Sequence, residues 1–280
     1  MQALEFGDPD GFPILYCHGT PGSAAECAFA DAAARKHHLR LIALDRPGYG
    51  HTPPARDMTY SAWGRSAARF LAERGIQRYG VLGISGGAPS ALALAAADAN
   101  PIAGVALVSA LGPLAEPALA KSASIVARTM CAGAAGNLNL LDWLALRPLA
   151  AIGRALPLAA QTFMRLHNSR PDRRVLGRPE VKQLLVRSLD RAFAQGSAGV
   201  KRDLLLMVRP WDFSLNDVTA RVKIWHGLAD SLLLPVHGHW LVQHLPHANL
   251  ELVEGEGHFS LPFDRADMIL GELAQRCFEK

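Results

Sequence analysis

The chain has 280 residues, half of them hydrophobic, which is ample for a large core in one or two domains. Its net charge of +4 is uneven: residues 112–215 hold 15 Lys and Arg against 7 Asp and Glu, and the remainder holds 14 against 18. The basic residues do not cluster with aromatics, which argues against nucleic acid and reads as a solvated helical surface rather than an anion site.

No apolar run is long enough to span a bilayer. Residues 102–115 are broken by Pro113, and residues 138–160 by Asp142, Arg147, Pro148, Arg154 and Pro157. Residues 1–10 carry Glu5, Asp8 and Asp10 and no basic region of a signal peptide. Cys17, Cys27, Cys131 and Cys277 lack metal or redox spacing, so they read as buried free thiols in a reducing cytoplasm.

Taken in chain order, residues 4–7, the turn Asp8-Pro-Asp-Gly11 and residues 14–17 read as a β-hairpin. His18-Gly-Thr-Pro-Gly22 is a sharp turn, and Ser23 is the expected N-cap of a helix running to His38. Residues 39–44 form an apolar strand that ends in Asp45-Arg-Pro-Gly-Tyr-Gly50. Residues 59–74 place Trp63, Ala67, Phe70 and Leu71 at helical spacing. Val81, Leu82 and Ile84 form a short buried strand, residues 88–99 an alanine-rich helix, and residues 102–110 a further strand. Short apolar strands alternating with helices predict a parallel α/β sheet, with chemistry at the carboxyl ends of the strands.

The alternation then stops. Segments 114–132, 138–147, 158–168, 179–195 and 199–208 are apolar with polar faces, and prolines punctuate them. They predict an all-helical insertion. Strands resume at 222–225 and 250–253, with a helix near 236–245 between them and an amphipathic helix over 264–278.

Between the Val81 strand and the alanine-rich helix lies Gly83-Ile-Ser85-Gly-Gly87. A G-x-S-x-G pattern at a strand-to-helix turn is the context of a nucleophile elbow, although the five residues alone also arise by chance in glycine-rich chains. A serine hydroxyl needs a base, and the base needs a carboxylate. Asp230 follows one strand and His258 the next, so the order is Ser, Asp, His. Asp230 also reads as a helix cap, and His258 is one of 11 histidines. His226 reads as structural, and Asp45, the competing carboxylate, as the anchor of its own loop. Thr20 and Gly86 are placed to supply two N–H donors of an oxyanion hole.

The motifs His18-Gly-Thr-Pro-Gly22, Asp45-Arg-Pro-Gly-Tyr-Gly50, Gly83-Ile-Ser-Gly-Gly87, His226-Gly-Leu-Ala-Asp230 and Gly255-Glu-Gly-His258 together resemble those of the α/β-hydrolase superfamily. Within it they resemble the capped serine-hydrolase group of esterases and proline iminopeptidases, to which epoxide hydrolases and C–C bond hydrolases are related. The resemblance implies a mostly parallel sheet with helices on both faces and an all-helical cap inserted after the sixth strand. Residues 1–111 and 216–280 would be the core and 112–215 the cap, with the family's first antiparallel strand absent or very short. It implies hydrolysis through Ser85, Asp230 and His258 with no metal or cofactor. The substrate would be a small-molecule ester. A serine excludes the aspartate-nucleophile relatives. A basic cap whose acids are Glu116, Asp142, Asp172, Glu180, Asp190, Asp203 and Asp212 argues against capture of a free amine. Cleavage of C–C, thioester or amide bonds by the same three residues remains open, as does a non-catalytic binder of small molecules. Met130, Trp143, Phe163 and Met207 are candidates for the cap core or the pocket wall, and Trp211 and Phe213 for substrate contact. Oligomeric state is not encoded in any motif.

Overall fold

The computed structural model describes residues 1–55, 57–98, 102–124 and 168–279, with single positions at 128, 133, 136 and 146. Met130, Trp143 and Phe163, and most of the helices expected over 125–167, lie outside the described residues.

Seven strands form one sheet: β1 Ala3–Gly7, β2 Phe12–Cys17, β3 Leu39–Leu44, β4 Tyr79–Ile84, β5 Ile102–Val108, β6 Val222–Gly227 and β7 Ala248–Val253. Their spatial order is β1-β3-β2-β4-β5-β6-β7, and every pairing is parallel except β1 with β3. The expected hairpin does not form. The turn after β1 is held by Asp8 N–H on Leu39 O and Phe12 N–H on His38 O, so β3 lies between the two strands. The insertion leaves after β5, the fifth strand of this chain rather than the sixth, because no strand precedes Ala3–Gly7 among the described residues.

Both sheet faces are buried, as near-continuous apolar strands require. Leu15, Val81, Val105 and Leu107 face one side, with Trp63, Phe70, Leu92 and Leu241 from α2 (Tyr60–Ala72), α3 (Ala88–Ala97) and α8 (Val236–His244). Ile14, Tyr16, Leu82 and Ala106 face the other side, with α1 (Asp31–Lys36), α9 (Ser260–Asp264) and α10 (Ala266–Phe278). The Thr59 side chain caps α2 by accepting from Ala62 N–H at 3.2 Å. Ser23 does not act as the expected cap. Its hydroxyl faces Ser188 Oγ at 3.3 Å, and the segment is a 3₁₀ helix, Ala24–Ala30, before α1.

Within the insertion, α4 (Pro117–Ser122), α6 (Pro179–Ala192) and α7 (Ala198–Met207) are helical where the sequence predicts helix, and α5 (Arg170–Leu176) forms in a stretch where it predicts none. Residues of α6 and α7 cluster with Leu111, Leu114 and Phe193 and close onto Tyr49 and Leu233.

Candidate active site

The carboxyl ends of β2, β4, β6 and β7 converge on one point. Ser85 follows β4 directly with φ +51°, in a 3₁₀ turn, Ser85–Gly87, that feeds α3. A non-glycine residue there costs about 1–3 kcal/mol and is kept only where its surroundings over-determine it. Gly87 supplies that constraint: a Cβ on it would lie 2.1 Å from Cys17 O and 2.6 Å from His18 O. The elbow is therefore pressed against the end of β2.

His258 is buried in the turn after β7, and its Nε2 lies 3.0 Å from Ser85 Oγ. Its Nδ1 lies 2.8 Å from Asp230 Oδ2, so Nδ1 carries the proton and Nε2 is left to accept from the serine hydroxyl. Asp230 Oδ1 accepts Leu232 and Leu233 N–H, both at 2.9 Å, and the carboxylate is buried. Burial pushes the Asp230 carboxyl up, but His258 and His226 outweigh it and hold the group well below the usual carboxylate range. Burial lowers His258, yet the charge and hydrogen bond of Asp230, with Asp172 and Glu26 adding, raise it above an ordinary histidine. His226 donates through Nε2 to Leu233 O at 2.8 Å and approaches Asp230 Oδ2 at 3.3 Å, behind the pair.

The turn after β2 is held from below. Arg46 is buried and donates to His18 O at 2.6 Å, Gly19 O at 3.0 Å and Thr20 Oγ1 at 2.8 Å. Thr20 Oγ1 in turn donates to Asp203 Oδ2 at 2.9 Å. Thr20 and Gly86 are adjacent: a Cβ on Gly86 would lie 3.0 Å from Thr20 Oγ1 and 2.6 Å from Met207 Cε. Met207, at the end of α7, thus covers this side of the serine. Asp45 does not approach His258. It accepts Ala24 N–H at 2.9 Å and pairs with Arg191 at 2.6 Å, anchoring its loop. Trp211 and Phe213 stack on each other, 5.4 Å between centroids, with Tyr60 edge-on to both. Asp212 between them binds Ser61 at the start of α2.

Three acids around the site were not separable in the sequence. Asp203 of α7 gathers Arg46, Tyr49 and Thr20 on one oxygen. Asp172 of α5 accepts the backbone N–H groups of His258, Phe259 and Ser260. Glu26 accepts from Tyr16 Oη at 2.6 Å and Gly19 N–H at 3.3 Å, and burial pushes its carboxyl up. Asp203 and Asp172 have no local motif, because the partners named here lie on distant elements, and Glu26 reaches back to Tyr16 and Gly19 with no recognisable spacing. Among the described residues no three His, Cys, Asp or Glu side chains converge as metal ligands would.

A family model for the alpha/beta hydrolase fold matches residues 13–264. No curated protein matches the sequence. The structure is similar to a thermophilic esterase from Thermogutta terrifontis, with 18% identity, TM-score 0.69, and coverage of 99% of this chain and 94% of that one. It is similar to a bromoperoxidase from Bacillus anthracis, with 18% identity, TM-score 0.71, and coverage of 99% and 95%. It is also similar to the enol-lactonase from Burkholderia xenovorans, with 18% identity, TM-score 0.65, and coverage of 99% and 96%. At such identities the likeness is one of fold.

Proposed function

The chain belongs to the α/β-hydrolase fold family, and from that premise we propose that it is a serine hydrolase. It cleaves a carboxylic ester of a small to medium, largely apolar substrate through an acyl-enzyme. The observation that carries this reading is the unbroken line of hydrogen bonds from Asp230 through His258 to Ser85, 2.8 Å and then 3.0 Å.

His258 takes the Ser85 proton as the hydroxyl oxygen attacks the ester carbonyl. Asp230 orients the imidazole and stabilises its charged form. The N–H groups of Thr20 and Gly86 receive the developing oxyanion, where a single donor is worth about 10²–10³ in rate. Return of the proton from His258 to the leaving alkoxide frees the alcohol. Water, deprotonated by the same imidazole, then attacks the acyl-enzyme and releases the acid. Residues 112–215 serve as the cap, and Met207 forms the wall over the serine. Trp211 and Phe213 serve the substrate only at the pocket's margin, because they are already stacked on each other with Tyr60 edge-on to both. The described cysteines are free and buried, which fits a reducing cytoplasm. No helix among the described residues is long and apolar enough to cross a membrane.

A fluorophosphonate probe and a series of p-nitrophenyl esters of increasing acyl length test the proposal together. The wild-type protein is expected to label at Ser85 and to hydrolyse the shorter esters, and Ser85→Ala to lose both. Labelling without hydrolysis of any ester would move the assignment to C–C, thioester or amide cleavage. A folded wild-type protein that does not label would be a binder.

A further inference from the structure

Asp172 is fully buried, yet among the described residues it has no cationic partner. A buried carboxylate without a counter-charge is costly unless its oxygens are fully hydrogen-bonded. Here they are. Oδ2 accepts Ser169 Oγ at 2.9 Å and His258 N–H at 3.0 Å, and Oδ1 accepts Phe259 and Ser260 N–H, both at 2.8 Å. The fit is close, since a Cβ on Gly257 would lie 2.5 Å from Asp172 Oδ2. Four donors therefore hold one anion directly behind the backbone of the histidine.

We propose that Asp172 is a positioning residue for His258: a carboxylate carried in by the insertion fixes the histidine turn and places a negative charge beside the imidazole that becomes cationic during the reaction. The proposal rests on the serine-hydrolase reading above. A side chain on α5, 86 positions earlier in the chain, thus makes the basic group of the core depend on the docked insertion. The charged groups facing His258 are Asp230 from the β6 side, Asp172 from α5 and Glu26 from the 3₁₀ helix. Only Asp230 touches the ring, so the other two act through space.

The test compares Asp172→Asn and Asp172→Glu in the full chain, using an ester that the wild type hydrolyses. Asp172→Asn is expected to lower kcat roughly tenfold with KM within about twofold, the pattern of a displaced catalytic group. Its acidic limb should move to lower pH, because one anion has left the imidazole. Asp172→Glu keeps the charge, so kcat should fall while the limb stays at the wild-type pH. The proton resonance of His258 Nδ1–H, followed by NMR as pH is lowered, gives the same direction without any turnover. It separates failure of this proposal from failure of the serine-hydrolase reading, which the labelling experiment decides. If Asp172→Asn does not fold, Asp172→Glu decides the matter: wild-type kcat in that variant overturns the proposal. An Asp172→Asn protein that loses thermal stability but keeps the wild-type kcat and limb would make Asp172 an anchor of the insertion alone.

Discussion

Ser85 carries its strain in the backbone, at φ +51°, and His258 carries its in electrostatics. The imidazole is buried, which disfavours its charge, and Asp230 more than offsets that burial. Because the proposed base must be neutral to act, the rate should fall as pH drops through a value above that of an ordinary histidine. Asp230→Asn removes the dominant anion. Its rate should fall by about 10³–10⁴, the scale of a histidine in the wrong tautomer. Any residual activity should have its acidic limb at lower pH than the wild type, and a pH–rate profile checks both. At this scale the sequence was informative where chemistry and backbone share a motif. Ser85 sits between glycines that the turn requires, and Asp230 and His258 each follow a strand end. Asp172 and Asp203 were legible only as acids in a basic segment, because a carboxylate that binds the main chain of a remote turn leaves no spacing to read.

Among the elements, local rules succeeded where a segment's fate depends on itself. The α2 span, and the alternation of β2 to β5 with helices, follow from periodicity and side-chain chemistry. They failed where a third element intervened: β3 enters between β1 and β2, and the segment after Ser23 is wound as 3₁₀ before it becomes α-helical. Contact between elements also creates a titration. His237 of α8 accepts Gly112 N–H through Nδ1 at 3.1 Å and, through Nε2, donates to Ser122 Oγ of α4 at 3.1 Å. Burial pushes this imidazole down to about 4. The unfolded chain, with an ordinary histidine near 6.5, binds more protons between those two values. Stability should therefore be full above about pH 6.5 and fall by about 3 kcal/mol as pH drops toward 4. Urea unfolding of wild type and His237→Asn across that range measures it, and the variant's stability should be the flatter of the two.

For the molecule as a whole, the charge imbalance found in the sequence becomes a docking device. Arg174 and Arg178 of the insertion reach Asp264 of the sheet-bearing part, and Arg191 reaches Asp45. The reverse pair, Arg46 with Asp203, is buried and also holds Thr20. The two pairs on Asp264 reach solvent and contribute little, about 0–1 kcal/mol each. The buried one behaves differently when broken. Asp203→Ala strands the Arg46 guanidinium without a counter-charge and should cost about 3–5 kcal/mol. It should also reduce activity by loosening the Thr20 turn, and denaturant melts alongside ester turnover measure the two effects. The sequence anticipated a solvated basic surface here, since net charge says nothing about which cations face acids across an interface.

The order in which the strands leave the polymer has a last consequence. Ser85 arrives early, but its partner imidazole is 173 positions later, beyond a strand that occupies the far edge of the sheet. A nascent chain still on the ribosome would hold a mute serine for most of its synthesis. On the proposed mechanism, reactivity would wait for the turn after the seventh strand to dock, since that turn carries the base.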